Sequence, residues 1–414
     1  MVNVRPLALR DSADLQRELA RLGYPATAQP EVAASTLPRV LRVDGLSLHD
    51  ATAAAGQAEA AGVRAVLPPT VDAPAAAAVP LLLSGPLDGL RRLADRLARA
   101  GGPLAGAAAA IRDAVAERER VLLCGGHRLP LGGRTYVMGI INLTDDSFAG
   151  GGFLGDPAAA VEHGKRLLAE GADILDVGGE SARADVPVVP DQEEIRRVVP
   201  VIRRLAEETG APISVDTYKP AVAEAAVAAG AAIINDIGSP KLGGEMAAVA
   251  ARTGAALVIN HTWERPKVRP ALPPVYDDLL GHVYGYLAEQ AAAAVAAGVP
   301  RERLMVDPGV AFGKSHDEDL EVIRRLPELR GLGLAILVAA SRKHFIGSVL
   351  GTPVDQRLEG TAAVVSIAIA GGADIVRVHD VRELARVARM TDALVRARPG
   401  DFAPGPGTWP APAS

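Results

Sequence analysis

From Thr135 onward, short runs of β-branched and other apolar residues alternate with Ala-, Leu- and Arg-rich amphipathic segments. This regular alternation leaves few folds open. Candidate strands fall at 137–142, 173–177, 212–216, 232–235, 256–260, 303–307, 335–341 and 374–379. Each is short and apolar enough to be buried on both faces, and an amphipathic helix can be drawn after each. Such units build a parallel sheet covered by helices, and eight of them without a GxGxxG phosphate turn predict a closed (β/α)8 TIM barrel rather than an open doubly wound sheet. The expected fold class is therefore α/β. The barrel is expected over 131–398, after a small α/β N-terminal domain over 1–130 and before a proline-rich, disordered tail over 399–414. Within the first domain, 39–43 and 79–83 read as strands, 90–109 has apolar residues at helical spacing, and the Ala/Pro stretch 68–80 reads as a loop or linker.

Composition removes other classes. Hydrophobic residues at 49% and charged residues at 22% exclude a disordered chain or a coiled coil. The 44 basic and 49 acidic side chains give a net charge of −5, with no positive excess to neutralise a phosphodiester backbone, so nucleic acid is not expected as a partner. The single cysteine, Cys124, cannot form an internal disulfide and reads as a small core residue in a reducing compartment. The first ten residues hold no apolar leader, and no long stretch is free of charge and turn residues. A cytoplasmic protein with no membrane contact is the expectation.

In a barrel of this kind, active sites lie at the carboxyl ends of the strands. The expected strand ends and the loops after them carry Asn142, Asp176 with Glu180, Asp216, Asn235 with Asp236, Asn260 with His261, Asp307, Ser341 with Arg342 and Lys343, and Arg377 with His379 and Asp380. A single Asp or Asn there would be accounted for as a helix cap or turn residue. Capping does not call for Lys343, Arg377 and His379. Asp216, Asn235 and Asp307 at the inner ends suit a flat heterocycle with N–H donors and ring acceptors, guanine-like or pterin-like. Arg377 and His379, with Asn142 opposite, suit an anion such as diphosphate, and the Asn142 carbonyl is a hard oxygen ligand fit for Mg²⁺. Glycine-rich 149–152 and the segment 183–190 are expected to close over the site. Elsewhere, Glu193, Glu194, Arg196 and Arg197 alternate in sign as a solvated helix face would, and Gly125-Gly126-His127 reads as a turn joining the two domains. His163, His282 and His316 have no metal-ligand spacing.

These residues also fall into ordered motifs. Met138-Gly-Ile-Ile-Asn142-Leu-Thr144-Asp-Asp146-Ser147-Phe148 is followed by Asp176-Val-Gly-Gly-Glu180-Ser181-Ala-Arg183 and Ser214-Val-Asp216-Thr217-Tyr-Lys219. Ile234-Asn235-Asp236, Asp307-Pro308-Gly309-Val-Ala-Phe312-Gly313-Lys314, Ser341-Arg342-Lys343 and Arg377-Val-His379-Asp380 complete the set. Over 135–394 the chain resembles the dihydropteroate synthase family. The resemblance implies condensation of 6-hydroxymethyl-7,8-dihydropterin diphosphate with 4-aminobenzoate, Mg²⁺ as cofactor, and a homodimer through the outer helices. It implies pterin contacts from Asp216, Asn235, Asp307 and Lys343, and diphosphate and metal contacts from Asn142, Arg377 and His379. Ser341, Phe148 and Arg183 would shape the aminobenzoate site. Asp216, Asp307, Lys343 and Arg377 are then the expected catalytic group, and Asn142 the metal ligand. Departures from the family pattern are Asp145, Ala182-Arg183-Ala184-Asp185, Asn260-His261-Thr262-Trp263 and Glu318-Asp319. Two other readings remain at this point: a pterin-binding paralogue lacking synthase activity or using another acceptor, and a pterin-dependent methyltransferase.

Overall fold

The computed structural model describes residues 12–69, 78–116, 120–144, 152–182, 186–238, 244–263, 267 and 274–396. The chain forms two compact units, Met1–Arg118 and Glu119–Ser414. The first runs α1 (Ser12–Arg21), α2 (Gln29–Thr36), β1 (Pro38–Ser47), α3 (Leu48–Ala58), β2 (Arg64–Val66), β3 (Ala78–Pro86), α4 (Leu87–Ala100) and α5 (Gly102–Ala114). Its antiparallel sheet has the order β1-β3-β2. Alternate residues of β3, Val79, Leu81 and Leu83, are buried in one core with Leu90, Leu93 and Leu97 of α4 and Ile111 of α5. The expected helix over 90–109 is thus two helices, broken where Gly101 and Gly102 take φ of 74° and 56°. Residues 78–80 of the expected linker are sheet; 70–77 and the tail from 397 lie outside the described residues.

The second unit opens with a hairpin, β4 (Val121–Cys124) and β5 (His127–Pro130). There follow β6 (Tyr136–Asn142), α6 (Pro157–Glu170), β7 (Ile174–Gly178), α7 (Asp191–Thr209), β8 (Ile213–Asp216), α8 (Pro220–Ala228), β9 (Ile233–Asp236) and α9 (Glu245–Thr253). The circuit is completed by β10 (Ala256–Asn260), α10 (Leu279–Ala296), β11 (Leu304–Asp307), α11 (His316–Arg324), β12 (Ala335–Val338), α12 (His344–Leu350), α13 (Leu358–Ala370), β13 (Ile375–Val378) and α14 (Val381–Val395). Strands β6 to β13 pair in parallel into a closed barrel, β13 returning to β6. The expected (β/α)8 architecture is the observed one.

The two-residue period of a strand sorts its side chains. Outward positions such as Leu175, Val215, Ile234, Leu257, Val306, Ile336 and Val376 share a core with the helices. Inward positions begin apolar, with Met138, Ile174, Ile233, Val258, Met305 and Ile375 in one cluster. Two residues further along, the same inward line turns polar: Asp176, Asn235, Asn260, Asp307 and Arg377. The lower half of the interior is therefore a packed plug and the upper half a polar chamber.

The hairpin belongs to the plug. Leu122 and Cys124 are fully buried in the same cluster as Met138 and Ile375, and Arg120 donates two 2.8 Å bonds to the Asp374 carboxylate and one of 3.1 Å to the Leu334 carbonyl. This corrects the expected boundary at 130: the division falls at Arg118/Glu119, because the hairpin's apolar side chains find their burial inside the barrel. Gly125-Gly126-His127 is the turn of that hairpin, with Cys124 paired to His127, and joins no domains.

Candidate active site

A bonded set of strand-end residues forms the centre of the chamber. The register places Asp216 beside Asn235 and Asn260 beside Asp307 on neighbouring strands. Arg377 donates from Nε to Asp176 at 2.5 Å and from a terminal nitrogen to Asp216 at 2.6 Å. Asn235 Nδ2 donates to the same Asp176 oxygen at 3.2 Å. Asp176, a strand-end residue with no expected role of its own, is thus the hub joining the expected pterin and diphosphate residues. Among the described residues, Asp176 Oδ1, Asp216 Oδ1, Ser214 Oγ and Asn260 Nδ2 are buried with no hydrogen-bond partner. Orphaned polar atoms in a buried strand-end layer call for a polar ligand.

Burial sets the protonation of this layer. It pushes the Asp216 carboxyl up to about 7 against the opposing pull of Arg377, raises Asp236 to about 7 and raises Asp307, with Lys343 opposing. Lys343 is lowered by burial despite Asp307; its ammonium bonds the Val310 carbonyl and lies 4.9 Å from the Phe312 ring centre. His379, expected to meet an anion, does not do so as a cation. Burial, with Arg377 and Arg342 nearby, lowers it to about 3, so it is a neutral imidazole. Its Nδ1 lies 3.0 Å from Ser341 Oγ, which also accepts the His379 backbone N–H at 3.2 Å.

Ser341 and Lys343 lie past the end of β12, flanking Arg342 in the left-handed region at φ 59°. Such backbone persists only where neighbours over-determine it. Here Thr361 Oγ1 accepts the Arg342 N–H at 3.1 Å, Arg357 donates to the Arg342 carbonyl at 2.9 Å, and the Arg342 guanidinium is ion-paired to Asp380. Asn142 ends β6, the strand paired with β13, so it stands beside the strand of Arg377 and not opposite it as expected.

The rim also corrects the reading of α7. Glu194 is 1% exposed and bonds Lys219 at 2.7 Å, and Arg197 donates to the Gly179 carbonyl at 3.1 Å. Glu193 and Arg196 keep the solvated, ion-paired character expected of this face. Lys219 and Lys314 are rim residues that sequence reasoning left without a task; both stand in the strand-end motifs, which is the signal that could have found them. Lys314, lowered to about 7 by burial, donates to the Gly309 carbonyl at 2.9 Å and lies 2.8 Å from His261 Nδ1. His261, Trp263, Tyr276, His282 and Tyr286 pack edge to face beside it, which accounts for His282 as a packing residue. Phe148, Arg183, Asp145 and Ala184 lie outside the described residues.

A closed parallel barrel with carboxylates, an amide and cations converging on its carboxyl rim defines a barrel enzyme that binds a polar heterocycle. Residues 138–379 match the pterin binding enzyme family, and the chain belongs to that family. A relative named dihydropteroate synthase from Bacillus subtilis is 46% identical over 262 residues, covering 63% of this chain and 89% of its own. Two solved structures of Xanthomonas albilineans dihydropteroate synthase are similar. One, described with 4-aminobenzoic acid, has a TM-score of 0.62 at 41% identity, covering 68% of this chain and all of its own. The other, in complex with 7,8-dihydropteroate, has a TM-score of 0.58 at 39% identity over 67% of this chain and 99% of its own.

Proposed function

We propose that this chain is a dihydropteroate synthase, condensing 6-hydroxymethyl-7,8-dihydropterin diphosphate with 4-aminobenzoate to give 7,8-dihydropteroate and diphosphate. The observation that carries the reading is the buried inward layer in which Asp176, Asp216 and Asn260 keep unsatisfied polar atoms around Arg377. A pterin edge presents the N–H donors that carboxylate oxygens accept and the ring oxygen that an amide N–H meets. Asn235, Asp307 and Lys343 complete that ring's surroundings in this reading. The C–O bond to diphosphate breaks, leaving positive charge on the exocyclic carbon, which Asp216 and Asp307 stabilise. The aniline nitrogen then forms the C–N bond and one amine proton is lost to solvent. No nucleophile from the chain is required, so Lys343 serves binding.

Arg377, the neutral His379 as hydrogen-bonding partner, and Asn142 are assigned to the diphosphate. Among the described residues no group of three or more His, Cys, Asp or Glu side chains could hold a metal ion. A resident all-protein cage is therefore not what these residues offer, whereas an Asn142 oxygen beside a diphosphate fits Mg²⁺, which keeps several waters and binds through substrate phosphates. When bound, the ion neutralises charge on the leaving group. Ser341, with Phe148 and Arg183, is assigned to the aminobenzoate. We place the reaction in the cytoplasm; no described helix is long and apolar enough to cross a membrane. A homodimer through the outer helices is supported by exposed Val349, Leu350, Ile367, Met390 and Leu394 on α12, α13 and α14, and sedimentation of the purified chain tests it.

The test of the reaction is diphosphate release from the dihydropterin diphosphate with Mg²⁺, with and without 4-aminobenzoate, products being identified by mass spectrometry. Dihydropteroate formed only with 4-aminobenzoate is expected. Tight pterin binding without product would overturn the synthase reading in favour of a different or absent acceptor.

A further inference from the structure

We propose that Lys219 is a positioning residue for the amine substrate, tying both ends of the segment between β7 and α7 to the barrel rim and so setting the affinity for 4-aminobenzoate. The inference rests on the synthase reading above. Lys219 follows β8 and occupies the N-cap position of α8 without a capping bond from its side chain. Its ammonium, 7% exposed at the side chain, bonds the Glu180 carboxylate at the start of the neighbouring segment and the Val189 carbonyl at its end, and reaches Glu194 of α7 at 2.7 Å. Glu180 and Glu194 are 4% and 1% exposed at their side chains.

Other tethers converge on the same segment. Glu180 also accepts from the Tyr218 hydroxyl at 3.1 Å and pairs with Lys267 at 3.5 Å, while Lys267 donates to the Val186 carbonyl at 3.2 Å. Connecting segments usually rest on the surface with solvated backbone. This one is held by buried charges, whose desolvation is offset only by close pairing. The cluster lies at the rim, where β7 and β8 end and α7 begins, and the segment it holds starts at Gly179 directly after the strand that supplies Asp176. Burial opposes the Lys219 charge, but the bonds from Glu180 and Glu194 outweigh it and keep the pKa above its ordinary value. Lys219 is thus charged throughout the neutral range, while burial raises its partner Glu194. Among the described residues no side chain of the bonded set hydrogen-bonds Asp176, Asp216, Asn235 or Asp307, and Glu194 reaches Asp216 through its charge alone, whereas the segment itself carries Arg183, assigned above to the aminobenzoate, so the main effect falls on the second substrate.

The test is steady-state kinetics of the full chain bearing Lys219→Met, with Lys165→Met, a half-buried ion-paired lysine of α6 remote from the cluster, as control. The expected result is a rise of about tenfold or more in KM for 4-aminobenzoate, the scale of losing one partner of a buried pair, with KM for the pterin diphosphate within about twofold. Amide exchange across 179–190 should accelerate in the same variant and not in the control. Glu194→Gln, which keeps the shape and removes one charge, should move the same KM in the same direction by less, and decides the matter if Lys219→Met does not fold. Equal rises in both KM values, a fall in kcat alone, or unchanged kinetics would overturn the proposal. If the unmodified chain makes no dihydropteroate, the synthase reading fails separately; unchanged exchange across 179–190 in the variants would then sink the tether as well.

Discussion

At the residue scale, Arg377 is paired with two carboxylates, Asp176 and Asp216. Removing one partner of a buried ion pair costs about 3–5 kcal/mol, because the other charge is left unpaired. Arg377→Ala strands Asp176 and Asp216, so chemical denaturation should show a loss of that order at pH 8. The loss should shrink at pH 5, where Asp216, raised to about 7, is protonated. The sign follows from linkage. A carboxyl at about 3.9 in the unfolded chain and about 7 in the folded one holds its proton more firmly when folded, so its contribution is full below the lower value and is lost as pH rises through the higher. Asp216→Asn should therefore remove one share of the decline in stability between pH 4 and 7; Asp236, Asp307, Glu194 and Asp319, also raised, keep theirs, and the lowered His379 opposes them. Asp216, Asn235, Asp307 and Arg377 were legible in the sequence because each ends an inward line of an apolar run. The hub role of Asp176 was not, since its partners come from strands distant along the chain. Nor was the neutrality of His379, which arises from burial beside two guanidinium groups.

At the element scale, two departures from the family pattern become intelligible in α11. Glu318 completes a capping box: Ser315 N–H donates to its carboxylate at 2.6 Å, and Ser315 Oγ accepts the Glu318 N–H at 3.3 Å. Asp319 accepts the N–H of Ala311, itself left-handed at φ 66°, at 2.6 Å. The acidic pair therefore rebuilds the loop after β11. Ser315→Ala should cost about 1 kcal/mol in a thermal or denaturant melt, the usual worth of an N-cap. Gly309→Ala should cost more, since φ is 67° and a Cβ would overlap the His261 carbonyl oxygen. Barrel strands were legible as elements because burial on both faces leaves unbroken apolar runs. The break at Gly101-Gly102 was masked by Ala- and Leu-rich helix formers on either side, and a hairpin with four-residue strands is too short to show a period.

At the scale of the whole molecule, the interior is divided along the barrel axis into a packed end and a polar end. Strand-end substitutions should thus change ligand binding more than melting temperature, and lower-layer substitutions the reverse. The unit boundary can be tested directly. A chain beginning at Glu119 should fold and bind the pterin diphosphate, whereas one beginning at Leu131 loses Leu122, Cys124 and the Arg120–Asp374 pair and should melt well below it, as read by circular dichroism. Eightfold alternation made the barrel legible, but nothing local marks a hairpin as the stopper of a barrel that begins five residues after it.

That stopper carries the chain's only thiol. Cys124 is fully buried and burial pushes its thiol up to about 11, so in the seated hairpin it is both shielded and protonated. A thiol reagent can modify it only when the hairpin lifts away from the barrel. Each molecule therefore counts as either zero or one labelled site, and the labelling rate under native conditions is a clock for how often the barrel's closed end comes open.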